Sequence, residues 1–354
     1  MPGIVGWFYY WRGHRSGWKI AFFIAGAIAV CAQLPLQWTS SYSLALILQG
    51  PVLGIALGTL FTLSTLVLSS HYRYNLPLVS MQSGFMGFLG AVVYTSVARQ
   101  LLTPYNHYAP AATAGVMAAT LLVAILLLHR IKDNAIPPQT QLKLHLPKNP
   151  RTILQEKGTL FFILGYILTF SSIFTFPIFM ILIITQPPAL IQPDLAALAL
   201  ITCLSTAAIS ASISANPIVR RHIGPVNTFI TSCMLAGAAS ILPIFMPYFS
   251  LALVAAGVYG ISLGAIIALH IKATTVFHAE MLVWHPDMPA RTAIMMALGG
   301  LSAFVGLLVS AAVMENMEDG VKVAFGLASG CLVCGGGLIG VGRWRRCSGV
   351  AVAI

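Results

Sequence analysis

Long apolar runs, interrupted by short polar or proline-bearing stretches, dominate the chain. Ten of them, at 20–38, 42–68, 77–98, 109–129, 158–185, 195–219, 228–246, 249–270, 292–314 and 323–342, reach the length a membrane helix requires. About 20 apolar residues cross roughly 30 Å of hydrocarbon, and lipid forces each crossing to satisfy its own backbone. The pattern therefore predicts an all-α polytopic membrane protein of about ten transmembrane helices. The polar segment 131–157, with Pro137, Pro138, Pro147 and Pro150, divides them four plus six. The expected organisation is an N-terminal half at 1–130, a central cytoplasmic loop at 131–157, a C-terminal half at 158–342 and a cytoplasmic tail at 343–354.

Composition agrees: 58% of residues are hydrophobic and 8% charged, with a mean hydropathy of +0.88. Soluble domains carry about 25% charged residues, so a soluble enzyme, a nucleic-acid reader and a disordered regulator are all excluded. The net charge of +11 belongs to the membrane topology, because basic residues are retained preferentially on the cytoplasmic side. With the N-terminus inside, 17 of the 19 Lys and Arg fall in inner segments and only Arg99 and Lys322 outside. Both termini are thus expected in the cytoplasm, without any nucleic-acid partner. The basic, aromatic first 19 residues show no small-x-small cleavage pattern, so no removable signal is expected.

Gly50, Gly54 and Gly58 recur at four-residue spacing, which puts them on one helix face where a neighbour can approach. Gly84 with Gly87, Gly260 with Gly264, and Gly326 with Gly330 follow the same logic. Ionisable residues at membrane depth would mark a pathway or relay, and the ten runs lack Asp, Glu, Lys and Arg. His129 and His270 close runs at their cytoplasmic ends and are read as interfacial, so no buried proton carrier is expected.

This absence argues against membrane enzymes. Prenyl transferases need acidic clusters for magnesium, intramembrane metalloproteases a His-Glu-x-x-His helix, and aspartyl types two membrane Asp residues; none of these is present. The chain is read as not an enzyme, with no cofactor and no metal. Cys331-Leu332-Val333-Cys334 has metal-like spacing but lacks a second pair and falls within an apolar run.

Neutral polar groups and helix breakers are the remaining chemistry. Gln49 lies in the second run, and Thr169, Ser172 and Pro177 in the fifth. Ser212 and Asn216 lie in the sixth, Tyr259 and Ser262 in the eighth. Such groups ordinarily bond a neighbouring helix; together they can line a cavity for a weakly polar solute. Pro177 also frees backbone carbonyls, as discontinuous helices do at transporter sites.

His71-Tyr72-Arg73-Tyr74 followed by Gly84-x-x-Gly87 resembles the loop between helices four and five of the major facilitator superfamily, in particular its fungal monocarboxylate transporter-like branch. His14-Arg15-Ser16-Gly17-Trp18-Lys19 resembles the end of that family's basic loop between helices two and three. Phe176-Pro177 resembles its seventh helix and Arg221-His222-Ile223-Gly224-Pro225-Val226-Asn227 its loop between helices eight and nine. Tyr259-Gly260 with Gly264-Ala265 resembles its tenth helix, and Arg291, fifteen residues before Gly306, the start of its eleventh. The resemblance covers about residues 14–342 and implies a major-facilitator bundle lacking the first two of twelve helices. It implies that the helices at 42–68, 158–185 and 249–270 line the cavity. Arg73, Arg221, Gly224 and Arg291 become conformational loop residues.

The departures bear on mechanism. The family's Gly-Arg of helix eight falls at Ser212-Ile213, and Gly-Ser-Ser reads Gly84-Phe85-Met86. A carrier for a small organic solute in the plasma membrane is expected, and the missing charges favour export of a fungal secondary metabolite over uptake of a monocarboxylate. The rival is a truncated, non-transporting degenerate carrier or transceptor; two further in-frame apolar helices encoded upstream would speak for the carrier. The sequence leaves the oligomeric state open.

Overall fold

The computed structural model describes residues 17–39, 41–71, 76–101, 109–129, 156–185, 193–214, 216, 222–245, 248–278 and 288–346. Among them there is no strand. The helices are α1 (Gly17–Gln33), α2 (Tyr42–Ile47), α3 (Leu53–His71), α4 (Leu76–Leu101), α5 (Ala109–His129), α6 (Thr159–Ser172) and α7 (Thr175–Thr185). They continue as α8 (Pro193–Ser214), α9 (Pro225–Phe245), α10 (Phe249–His278), α11 (Met288–Asn316) and α12 (Gly320–Arg346). A 3₁₀ turn, Leu34–Gln37, extends α1, and a five-residue π turn, Leu48–Val52, joins α2 to α3. Counting α2–α3 and α6–α7 as single interrupted crossings, every expected run is a helix. Nine of these stretches are long and apolar enough to cross a membrane, and α4 has 26 residues. The chain is a multi-pass membrane protein.

Helix ends follow local chemistry. Gly224 takes φ 83°, which a glycine adopts without penalty, and Pro225 then opens α9, where its missing N–H is no loss. α8 stops at Ser214, short of the expected 219, because Asn216 precedes a proline and is steered out of the helical region. Asn216 therefore sits beyond the helix, exposed, rather than inside the sixth crossing. α10 runs two turns past the expected end at His270, through Ala273, Thr274 and Thr275 to His278. His270 therefore lies inside the helix rather than at its end, and Lys272 follows it near the end of an apolar stretch, Phe249–Thr274, long enough to cross a membrane.

The helices form two compact units, one of Met1–Leu76 with Val93–Leu146 and one of Pro77–Val92 with Pro147–Ile354. In the first, α1 packs on α3 and α5; Gly26 abuts Leu121, and the Gln33 amide donates to Thr113 Oγ1 at 3.4 Å. In the second, a continuous core runs through Phe162, Tyr166, Phe176, Phe229, Tyr259 and Phe325. There α8 lies on α10, α9 on α10 and α12, and α6 on α12. Large apolar residues such as Leu126, Leu127, Ile178 and Phe304 remain exposed. In water such a surface would drive association; in lipid it is the solvated face.

Only one of the four glycine patterns makes close approaches at both positions. Side chains at Gly260 and Gly264 would collide with the Cys203 and Ala207 carbonyls of α8, so these glycines set the α8–α10 separation. Gly50, Gly54, Gly87, Gly326 and Gly330 have no neighbour within 4 Å of where a Cβ would stand. The expected use of Gly326 and Gly330 falls instead to Gly335 and Gly336, which face α6 and α9.

Candidate functional site at the broken helix of the second unit

Most hydroxyls in the spans turn back on their own helix. Thr59 bonds the Ile55 carbonyl, Thr62 that of Gly58, Thr202 that of Leu198 and Ser302 that of Leu298. This i−4 bonding satisfies a polar group in lipid without a partner helix. The exceptions, which reach across helices within the second unit, therefore mark its built polar interior.

Ser210 Oγ reaches the Ile261 carbonyl between α8 and α10, and Ser329 Oγ the Gly237 carbonyl between α12 and α9. The others gather around the interruption between α6 and α7. Pro177 has no N–H, so the carbonyl of Ile173, four residues earlier, loses its helical donor. The helix breaks at Ile173 and Phe174, and the Tyr259 hydroxyl of α10 donates to the Ile173 carbonyl at 2.6 Å. The Tyr259 ring stacks on Phe176 with centroids 4.3 Å apart. One turn earlier, Thr169 pairs with Cys233 Sγ of α9 at 3.7 Å, and Thr175 pairs with Ser310 of α11 at 3.2 Å. Gly306 of α11 sits directly on the Ser171 carbonyl. Three helices thus hold one break.

Thr169, Ser172, Pro177 and Tyr259 are all buried here. Ser172 shares a 3.3 Å contact with Ser171. Ser262, also buried, bonds back to the Val258 carbonyl at 3.0 Å. The other candidates lie elsewhere: half-buried Ser212 on α8 bonds the Ala208 carbonyl at 3.3 Å, Asn216 follows α8, and exposed Gln49 sits on the π turn of the first unit. Of the loop residues, Gly224 is placed at the start of α9, its carbonyl accepting from the Thr228 hydroxyl at 2.9 Å. Arg291 belongs to the first turn of α11; Arg73 and Arg221 lie outside the described residues.

Sequence reading missed Ser310, which no motif marks, and His270. The latter is buried, its Nδ1–H donating to the Ile267 carbonyl at 2.6 Å and its ring edge-on to Phe170 at 5.8 Å. Its helical spacing from Tyr259 and Ser262 on the same crossing was the available signal. Among the described residues no group of three His, Cys, Asp or Glu could hold a metal ion. The polar chemistry at the break is neutral hydroxyl, thiol and backbone carbonyl.

No family model matches the chain, and no curated protein matches it. Solved structures do. The E. coli fucose:proton symporter aligns over 97% of this chain and 87% of its own, at 13% identity and a TM-score of 0.66. The human organic anion transporter TETRAN aligns over 96% of this chain and 80% of its own, at 16% identity and a TM-score of 0.63. The chain shares the helical-bundle fold of these two transporters. The interrupted α6–α7 and the helix α10 correspond to two of the three crossings, 158–185 and 249–270, that the resemblance assigns to the cavity.

Proposed function

We propose that the chain is a secondary-active carrier of a small organic molecule in the plasma membrane, exporting a weakly polar fungal secondary metabolite. The observation that carries this reading is the break at Ile173 and Phe174, where, among the described residues, a helix expected to line the cavity is held by neutral hydrogen bonds. Neutral donors and acceptors suit an uncharged or weakly polar solute, since an anion at membrane depth requires a compensating cation. In this reading Gln49, Thr169, Ser172, Pro177, Ser212, Asn216, Tyr259 and Ser262 belong to the solute route. On the same reading the expected halves, 1–130 and 158–342, rock against each other. Comparing intracellular and secreted metabolites with the gene deleted tests it: one compound class should accumulate inside and vanish outside, and unchanged pools on both sides would refute export.

One observation favours a second reading, uptake of a monocarboxylate. Lys272 is a cation near the end of the apolar stretch of α10, and the fold neighbour TETRAN is an organic anion transporter. If a carboxylate is the solute, Lys272→Gln should reduce its uptake into vesicles at least tenfold and leave efflux of neutral compounds unaffected. Equal uptake by Lys272→Gln and the unaltered chain would remove this reading.

In the carrier reading Arg291, at the start of α11, acts as a tether released in one conformation. Arg291→Ala should change the turnover rate while solute affinity stays within about twofold, since a group that acts on conformational exchange leaves intrinsic binding alone. A large affinity loss at normal turnover would place Arg291 against the solute instead.

A further inference from the structure

The last turn of α12 reads Gly342-Arg343-Trp344-Arg345-Arg346. Gly342 packs on the backbone of Gly158 and Phe162, which brings the end of α12 against the first turn of α6. Among the described residues these two helix ends carry four cations, Lys157, Arg343, Arg345 and Arg346, and one carboxylate, Glu156. Arg346 pairs with that carboxylate at 3.9 Å. The guanidinium of exposed Arg345 rests 4.5 Å above the Phe161 ring, and stacking of this kind does not consume its N–H donors.

Immediately toward the membrane interior the same two helices expose Leu160, Leu164 and Val341, and Trp344 stands exposed at the boundary. A free anion would have no use for that apolar strip, and a soluble acidic protein could not follow it into the bilayer. A molecule with a phosphate above and acyl chains below fits both parts. Tryptophan is also the residue that settles at headgroup level. We infer that an anionic phospholipid of the leaflet facing this end binds here, its phosphate against Arg345 and Arg346 and its chains along Leu160, Leu164 and Val341.

The inference is independent of the solute and of transport. Phosphatidylserine added to the full chain in a neutral maltoside should raise the melting temperature by several degrees, whereas phosphatidylcholine and inorganic phosphate should not. Each basic residue near an anionic surface contributes about a fivefold factor in affinity. The double variant R345Q/R346Q should therefore need at least tenfold more phosphatidylserine for half the effect. In vesicles, brominated phosphatidylserine should quench tryptophan fluorescence more than brominated phosphatidylcholine, and W344F should erase that difference. This second measurement decides the matter if the double variant does not fold. Equal responses to the two lipids, reproduction of the effect by inorganic phosphate, or undiminished response in R345Q/R346Q would each overturn the site.

Discussion

Gly264→Ala should strip the folded protein from a membrane preparation, while Gly330→Ala leaves it intact or slightly more stable. Both add one methyl to a glycine in the middle of a long helix, and both gain up to about 1 kcal/mol of helix propensity. Their surroundings differ. At Gly264 the new carbon would occupy the space of the Ala207 carbonyl and Cα on α8. That neighbour is backbone, so no rotamer change relieves the overlap, and α8 and α10 must separate along their whole contact. Overpacking of this kind costs about 1–3 kcal/mol and more where the obstacle is rigid. It would also strain the bond from Ser210 Oγ to the Ile261 carbonyl, which crosses the same interface at 2.5 Å. At Gly330 nothing lies within 4 Å, and the methyl enters lipid. Fluorescence-detected size exclusion in detergent with thermal challenge would compare the two. A Gly264→Ala protein as monodisperse and heat-resistant as Gly330→Ala would mean that α8 and α10 do not pack as described.

The second large effect concerns the break. Tyr259→Phe keeps the ring on Phe176 and removes only the donor to the Ile173 carbonyl, leaving a buried acceptor unsatisfied at a cost of about 1–3 kcal/mol. Pro177→Ala restores the N–H that the Ile173 carbonyl lacks. The two changes should therefore not be additive: Tyr259→Phe is expected to destabilise strongly alone and weakly in the Pro177→Ala background, a coupling of at least about 1 kcal/mol. Thermal stability of the four proteins measures it, and solute flux read in parallel should fall in every variant that alters the break. Additive losses would mean that the carbonyl is satisfied in some other way, and the latch would be discarded.

Membrane crossings were legible because hydrocarbon imposes a length and a composition that few other structures share. Their ends were less so. The run ending at His270 is followed by Ile-Lys, which looks like an interface in a hydropathy window. The chain nonetheless continues helical through Ala273 to His278, and the imidazole is covered by Phe170 from another helix. Tyr259 stood out as a polar ring in an apolar run, and Pro177 as a breaker. Their connection did not, because the acceptor is a main-chain oxygen 86 positions away, and any residue supplies one. Glycine spacing fared similarly. Gly260 with Gly264 and Gly326 with Gly330 are indistinguishable as strings, and only the presence of a facing backbone separates a packing groove from a bare stretch of helix.

The wide turn at Leu48–Val52 has an evolutionary reading. Pro51 denies the Ile47 carbonyl its usual donor, and the turn closes over five residues instead of four. One extra residue advances a helix by about 100°, so the stripe containing Gly54 and Gly58 is rotated relative to whatever precedes it. The crossing is out of phase with itself by a single codon. An in-frame deletion there, combined with replacement of Pro51, would realign the two halves of the helix. This is the position in the first unit where length variation between related chains should concentrate.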